Sequence, residues 1–117
     1  MKKQTVFITG GTGFIGSALA KRLLKEGNRV KVFDNNFRGS TSNLPNRNDL
    51  LEIVQGDICD EEQVIEASLG CDTIFHLAFI NGTKHFYDIP HLVLDVGIRG
   101  ALNTVKASKV NNCKKYI

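Results

Sequence analysis

The feature that most constrains the fold is a glycine-rich turn between a predicted strand and a predicted helix. Residues 9–16 read Thr-Gly-Gly-Thr-Gly-Phe-Ile-Gly. Residues 4–8, which precede the turn, are mostly apolar and β-branched, and this predicts a buried strand. Residues 17–26, which follow it, carry apolar side chains at helical spacing. The predicted buried stripe of this helix consists of Ile15, Leu19 and Leu23. A strand that turns through glycines directly into a helix is typical of a dinucleotide-binding site.

Three glycines of this turn have predicted roles. Gly10 allows a sharp exit from the strand, where a Cβ atom would clash. Gly13 leaves room for a pyrophosphate to approach bare backbone, and Gly16 lets the helix pack closely against the strand. The backbone N–H groups at the helix start, with about half a unit of positive charge, then hold the phosphates. The alternative is an ordinary glycine-rich turn without a ligand, which the flanking strand and helix disfavour.

The spacing Gly-x-x-Gly-x-x-Gly resembles the fingerprint of the short-chain dehydrogenase/reductase superfamily. The variant with Phe14 and Ile15 before the last glycine resembles its extended branch, the NAD-dependent nucleotide-sugar epimerases and dehydratases. We therefore include both residues in the predicted cofactor site. Strands and helices alternate along the whole chain, which predicts an α/β fold of the Rossmann type, a doubly wound parallel sheet. We expect the strand order 3-2-1-4-5, with the cofactor over the switch between strands 1 and 4.

Polar residues after the second predicted strand, residues 30–33, indicate the adenosine side of the site. Asp34 stands about 20 residues beyond the glycines, where a Rossmann site places the carboxylate that binds the adenosine ribose. A carboxylate there favours NAD, because the extra phosphate of NADP would meet a negative charge. Asn35 belongs to the same predicted edge. Arg38 lies near enough to meet a 2′-phosphate or the adenine face, so NADP stays open as an alternative.

Gly-Asp-Ile follows the third predicted strand, residues 51–54, and resembles an adenine-binding element of the extended family. The resemblance implies that the Asp57 carboxylate bonds the adenine amino group and that the backbone of Ile58 bonds the ring. The alternative is a loop aspartate that caps the next helix, predicted over residues 61–69. Asp60, which precedes two glutamates, is the better cap, and this leaves Asp57 for adenine.

The fourth predicted strand, residues 73–78, resembles a family strand that ends in His-Leu-Ala-Ala, where small residues form a wall for the cofactor ribose. The predicted wall consists of Leu77, Ala78 and Phe79. Phe79 departs from the family pattern, because it replaces the second alanine. We interpret His76 as a packed core histidine rather than a catalyst.

Residues 80–90 are predicted to form a loop at the ligand-binding end of this strand. Asn81 and Thr83 could face nicotinamide or substrate there, although a solvent-exposed loop is equally consistent with the sequence. A long helix is predicted over residues 92–110. Its predicted buried stripe consists of Leu94, Ile98, Leu102 and Val105. Gly97 stands where the family has an asparagine one turn into this helix, so the role of that asparagine does not transfer.

The catalytic residues that the resemblance implies do not occur in this sequence. In the family, the tyrosine of a Tyr-x-x-x-Lys pair takes a proton from a sugar hydroxyl while a hydride moves from the sugar to NAD. The resulting ketone is then epimerised or loses water, and the hydride returns to the sugar. Here Tyr87 is followed four residues later by His91, and Tyr116 is the penultimate residue. We assign no catalytic residue. We expect residues 1–117 to be an incomplete cofactor-binding domain of such an enzyme, not competent alone, without the catalytic segment and the substrate domain.

Two other functions stay open. One is a stand-alone nucleotide-binding or sensor module, and the other is an NADPH-dependent reductase of the same superfamily. For the complete protein we expect a nucleotide-sugar substrate. We also expect a homodimer, because a chain that ends at the fifth strand leaves a sheet edge and apolar helix faces uncovered.

Composition narrows the class of protein further. The chain has 117 residues, of which 42% are hydrophobic and 23% charged, so it forms one globular domain at most. The net charge is +3 without an arginine-rich run, which predicts no nucleic-acid partner. No segment is apolar for long enough to predict a signal peptide or membrane span. Cys59, Cys71 and Cys113 lack C-x-x-C spacing, which predicts free thiols, no metal site and a cytoplasmic protein.

Overall fold

Five parallel strands form a single sheet in the computed structural model, which describes residues 3–35, 40–80 and 83–117. The strands are β1 (Thr5–Thr9), β2 (Arg29–Asp34), β3 (Leu51–Gln55), β4 (Thr73–His76) and β5 (Lys115–Tyr116). The helices are α1 (Phe14–Lys25), α2 (Glu61–Ala67), α3 (Thr83–Asp88) and α4 (Pro90–Val110). The sheet order is β3-β2-β1-β4-β5, so the predicted Rossmann-type topology is confirmed.

Alternating side chains of the central strand build a core on each face of the sheet. On one face, Val6 and Ile8 of β1 pack with Ala20 and Leu24 of α1. On the other face, the ring of Phe7 lies 5.8 Å from that of Phe33 in β2, centroid to centroid. This second core includes buried residues of α2 and α4. The strand is buried on both faces, as a central strand of a doubly wound sheet requires.

The predicted buried stripe of α4 is wrong. Leu94, Ile98, Leu102 and Val105 are between 52% and 65% exposed. The helix packs inward through residues that are mostly small or polar: Val93, Gly100, Asn103, Thr104 and Ala107. Such side chains let a helix lie close to its neighbours, and Asn103 Nδ2 also donates to the Ile58 carbonyl at 2.9 Å. Apolar periodicity alone cannot distinguish the packed face when both faces of a helix carry apolar side chains.

Two smaller predictions of local structure are also wrong. Ile15 is 69% exposed, because the buried face of α1 runs through Ser17, Ala20 and Leu24 instead. Part of the loop predicted over residues 80–90 is the helix α3, whose exposed Lys84 and Asp88 form an i,i+4 ion pair at 2.5 Å. In the described part of the chain, no helix combines the length and apolar character needed to cross a bilayer.

Candidate cofactor site

The turn between β1 and α1 has the sharp exit that the sequence predicts. Gly10 adopts φ +74°, a left-handed conformation that side chains disfavour. Its N–H donates to the Phe33 carbonyl at 2.8 Å, which fixes the turn to the end of β2. A Cβ atom on Gly10 would lie 2.9 Å from the backbone nitrogen of Ala78, just beyond β4. Glycine is therefore required here on two independent grounds.

The N-terminus of α1 carries no acidic side chain of its own. Gly13 is the N-cap and offers no side chain to the first turn, which contains no acidic residue. The N–H groups of Phe14, Ile15 and Gly16 have no intrahelical acceptor, as at any helix start. Within the part of the chain that the structure describes, a Cβ atom on Gly13 would meet the Gly10 carbonyl oxygen alone, at 3.4 Å. The backbone N–H groups at the positive end of the α1 dipole are thus available to bind an anion.

Gly16 packs closely, although its neighbour is the turn and not the strand. A Cβ atom there would lie 2.3 Å from the Gly10 carbonyl oxygen and 2.8 Å from the Cα atom of Gly11. The first turn of α1 therefore folds back onto the glycines that precede it. This contact keeps the helix start and the turn in one rigid arrangement.

Asp34 lies at the end of β2 and reaches the glycine-rich turn. Its Oδ2 accepts a hydrogen bond from the Thr12 N–H at 3.0 Å. The Thr12 carbonyl in turn accepts from Asn43 Nδ2 at 2.9 Å and from the Ser40 N–H at 3.2 Å. Among the described residues, Thr12 Oγ1 is a buried side-chain oxygen without a hydrogen-bond partner. Sequence analysis missed Thr12 because its backbone, rather than its side chain, makes these contacts.

Asn35 and Arg38 are the other two residues predicted to lie on the adenosine side of the site. Asn35 directly follows Asp34 and is exposed. Arg38 lies outside the described residues, as does Asn81 of the loop after β4. The structure thus places a carboxylate beside the turn and leaves the contribution of Arg38 a prediction.

Asp57 is already part of a local turn. Its Oδ1 accepts from the Cys59 N–H at 2.9 Å, a contact that the sequence analysis did not foresee, and its role at adenine stays a prediction. Asp60 does cap α2, since its Oδ1 accepts from the Gln63 N–H at 3.1 Å. A carboxylate has further acceptor capacity, and Asp57 is exposed. The side chain of Ile58 is buried, and its carbonyl is held by Asn103.

Asp57 also borders an acidic groove of about 590 Å³. The groove is lined by Asp57, Cys59, Asp60, Glu61, Glu62 and Arg99. The lining has four carboxylates and one guanidinium, and Glu61 also pairs with Lys106 Nζ at 2.5 Å. The remaining excess of negative charge disfavours a phosphate here and suits a hydrogen-bond donor such as an amino group. No group of histidine, cysteine and acidic side chains within residues 3–35, 40–80 and 83–117 is arranged to hold a metal ion.

The three cysteines are free and protonated at neutral pH. Burial, followed by the nearby Asp57 carboxylate, raises the pKa of the Cys59 thiol. Burial raises the pKa of Cys71 to about 12, and burial with the charge of Asp72 raises the pKa of Cys113. Because the thiolate is the reactive form, none of these groups is suited to act as a nucleophile.

Thr9 joins the ends of β1 and β4. Its Oγ1 accepts from the N–H groups of Leu77 at 3.0 Å and Ala78 at 3.2 Å, and it lies 2.8 Å from His76 Nδ1. With both lone pairs of Oγ1 engaged, its hydrogen points to His76, which must therefore accept at Nδ1. His76 is then a neutral imidazole protonated at Nε2. Burial lowers the pKa of His76, in agreement with this state.

Beyond β4, the predicted wall residues differ in exposure. Leu77 and Ala78 are half-buried, and Phe79 is 48% exposed. The ring of Phe79 lies over Gly97 of α4, where it occupies the space that a side chain at position 97 would take. The carboxyl ends of β1, β2 and β4 thus bring together the glycine-rich turn, Asp34 and the predicted wall.

A family model for NAD-dependent epimerases and dehydratases matches residues 6–117. The chain belongs to this family. A UDP-N-acetyl-α-D-glucosaminuronate decarboxylase of Bacillus cytotoxicus is 33% identical over 108 residues, which cover 92% of the chain and 33% of that relative. The chain therefore spans about a third of the length of this family member.

Solved structures of epimerases share the same fold. An epimerase from Methanothermobacter thermautotrophicus superposes with a TM-score of 0.92 at 29% identity, covering 98% of this chain and 34% of that protein. A UDP-glucose 4-epimerase of Thermus thermophilus, solved with NAD, gives a TM-score of 0.85 at 30% identity over 96% of this chain and 36% of that protein. Both matches cover nearly the whole sheet and its helices.

The residues of the turn are suited to the cofactor of this family. The first turn of α1 contains no acidic residue and no side-chain cap, which suits a pyrophosphate. A Cβ atom on Gly13 would lie at van der Waals contact with the Gly10 carbonyl oxygen, so glycine leaves the backbone uncovered there. The carboxylate of Asp34 stands at the edge of the same turn, where ribose hydroxyls can donate to it.

We predict that Gly10→Ala destabilises the chain more than Gly70→Ala does. Both glycines have positive φ, +74° and +78°, so both substitutions carry the conformational cost of a left-handed alanine. Of the two, Gly10 also has backbone atoms at contact distance, whereas a Cβ atom on Gly70 would meet no atom of the described residues within 4 Å. The extra loss in free energy of unfolding should be about 1–3 kcal/mol, measured by urea denaturation. Equal losses would contradict the proposed contact.

We also predict that His76 makes stability depend on pH. Because its pKa is lowered in the folded chain, the unfolded chain binds the proton first as pH falls. The free energy of unfolding should therefore decrease as pH drops below about 6.5, and this loss should end below the folded pKa. His76→Asn, which keeps an acceptor for Thr9, should flatten the dependence between pH 7.5 and 5. An unchanged slope in that variant would show that other groups cause it.

Proposed function

We propose that this chain binds NAD and forms the cofactor-binding portion of an epimerase or dehydratase that acts on a nucleotide sugar. The observation that supports the proposal most strongly is the open, acid-free N-terminus of α1 beside the Asp34 carboxylate. The N–H groups of Phe14, Ile15 and Gly16 would hold the pyrophosphate. Asp34 would accept from the adenosine ribose, and Asp57, with the backbone of Ile58, would meet adenine at the acidic groove.

Residues of the chain would orient the cofactor and limit its movement. NAD, when bound, supplies a hydride acceptor and donor for chemistry at a sugar carbon. Leu77, Ala78 and Phe79 would form the wall beside its ribose, held in place by the bonds of Thr9 to the backbone after β4. We assign no proton transfer to His76, because its ring accepts from Thr9 and is half-buried.

We further propose that catalysis and sugar recognition depend on residues beyond this sequence. The chain spans about a third of the length of a curated relative. The Tyr-x-x-x-Lys pair expected of the extended family does not occur in the 117 residues. The chain would then bind the cofactor and would not by itself turn over a nucleotide sugar.

Calorimetric titration with NAD and NADP tests the cofactor assignment. The unmodified chain should bind NAD more tightly, since the Asp34 carboxylate would repel a 2′-phosphate. Asp34→Asn removes the charge but keeps an oxygen for the Thr12 N–H, so the fold should be preserved. In this variant the preference for NAD over NADP should shrink by at least about tenfold, or about 1.4 kcal/mol. Tighter binding of NADP by the unmodified chain, or no binding of NAD, would refute the proposal.

We also propose that two copies of the chain associate through the exposed stripe of α4, formed by Leu94, Ile98, Leu102 and Val105. The stripe extends for about 17 Å along the helix, at 1.5 Å per residue. A twofold axis across its middle would place the two copies of α4 antiparallel, with each stripe against the other. Contiguous apolar surface of this kind is unusual on a monomer.

Light scattering with matched variants tests this association. Leu102→Glu should raise the dissociation constant of the dimer by at least about a hundredfold, because a carboxylate would be buried without a partner. Leu69→Glu makes the same change at another exposed leucine, just after α2, and should leave the assembly intact. A monomeric unmodified chain, or equal effects of both variants, would contradict the proposed interface.

A further inference from the structure

The segment between β2 and β3 is attached to the glycine-rich turn by Asn43. This residue ends the short 3₁₀ helix Thr41–Asn43, and its Nδ2 donates to the Thr12 carbonyl at 2.9 Å. The Ser40 N–H donates to the same carbonyl at 3.2 Å. Asn43 and Thr12 are 31 positions apart in the sequence. The attachment is therefore a tertiary contact and not a product of local chain geometry.

The backbone around Asn43 is fixed by contacts of its own. The Asn43 N–H donates to the Ser40 carbonyl at 3.0 Å. The next residue, Leu44, is 4% exposed and packs in the same core as Val32 of β2. The amide of Asn43 thus reaches Thr12 from a position that the core and the 3₁₀ helix determine.

Thr12 connects this attachment to both parts of the cofactor site. Its N–H donates to Asp34 Oδ2 at 3.0 Å. Its carbonyl shares a peptide group with the N–H of Gly13, the N-cap of α1, and that N–H donates to the Gly10 carbonyl at 3.2 Å. Because these bonds lie on consecutive peptide groups, a shift of Thr12 would displace the donor to Asp34 and the start of α1 together.

We propose that Asn43 is a positioning residue of the cofactor site. Its amide fixes Thr12, and Thr12 holds the Asp34 carboxylate and the N-terminus of α1 at a set spacing. This inference rests on the proposed function, in which the adenosine ribose meets Asp34 and the pyrophosphate meets α1. Asn43 acts through Thr12 and is assigned no ligand contact of its own. A dinucleotide that spans both points binds less tightly once the amide is removed, because a loosened site must be ordered on binding.

The same attachment bears on the choice between NAD and NADP. The Asp34 carboxylate repels a 2′-phosphate most strongly when it cannot move away from it. The hydrogen bond from the Thr12 N–H restricts that movement. Loosening Thr12 would let the carboxylate move, so NADP would gain affinity relative to NAD. A contact that served the stability of the loop alone would not change this preference.

The experiment measures the affinity for NAD and NADP by calorimetry, together with the free energy of unfolding. Asn43→Ala removes the amide without changing the net charge, and the Ser40 N–H still serves the Thr12 carbonyl. NAD binding should weaken about fivefold, which corresponds to one net hydrogen bond, and the preference for NAD over NADP should shrink about threefold. Asn43→Ser, which suits a turn, also removes the amide and covers the case in which the alanine variant fails to fold.

Asn111→Ala is the matched control. Asn111 Nδ2 also donates to a backbone carbonyl at 2.9 Å, that of Ile65, but it lies shortly before β5, at the edge where the parallel strands begin. It donates to Ser68 Oγ as well, so this variant should lose at least as much stability as Asn43→Ala. Its NAD affinity should change less than about twofold, and its preference for NAD should be kept.

A double variant tests whether Asn43 acts through Asp34. In the Asp34→Asn background, the charge that separates NAD from NADP is absent. Asn43→Ala should then leave the remaining preference unchanged within about 1.5-fold, because the two residues act on the preference as one unit. An equal reduction of the preference in both backgrounds would overturn the inference.

The possible results separate this inference from the proposed function. Weaker NAD binding and a smaller preference in Asn43→Ala, with neither change in Asn111→Ala, support the inference. Unchanged affinity and preference in both Asn43 variants would overturn it and leave the proposed function intact, as would weaker NAD binding with an unchanged preference. An unmodified chain that binds no NAD would refute the proposed function itself and overturn both.

Discussion

The close approach of the backbone at Gly10 to the backbone at Ala78 is the constraint on which the site depends. Parallel strands that lie side by side end at the same edge of a sheet, so the chain leaving β1 and the chain leaving β4 compete for the same space. A glycine with positive φ lets the first chain turn away at contact distance from the second. Thr9 then bonds the two exits to each other. The glycine-rich turn, residues 77–79 and the start of α1 are all positioned by this junction.

The charge around the junction differs between its two sides. The N-terminus of α1 carries a positive dipole end and no acidic side chain, so an anionic group is stable there. Asp34 ends β2 and Asp57 follows β3, and both of these strands lie on the other side of β1 from β4. Those carboxylates repel phosphate and accept from hydroxyl or amino groups. A pyrophosphate at α1 with the adenosine towards β2 and β3, as we propose, satisfies both requirements.

The sequence predicted the sheet well and the surfaces of the helices poorly, for physical reasons. The apolar, β-branched residues of β1, the glycines after it and the regular succession of strands and helices are local features, so the turn and the strand order could be inferred before any coordinates. The packed face of α4 could not, because Gly100, Thr104 and Ala107 pack closely as small residues while larger apolar residues, such as Leu102, face outward. The contacts of Thr12 were also beyond prediction, since they depend on backbone groups that any residue would supply.

Phe79 and Gly97 lie far apart in the sequence and meet in the structure. The ring of Phe79 occupies the space that a side chain at position 97 would need. Close packing therefore links the two residues, because a side chain at position 97 and the ring in its observed place cannot share one space. This pairing could not be inferred from the sequence, since it depends on how the end of β4 and α4 pack against each other.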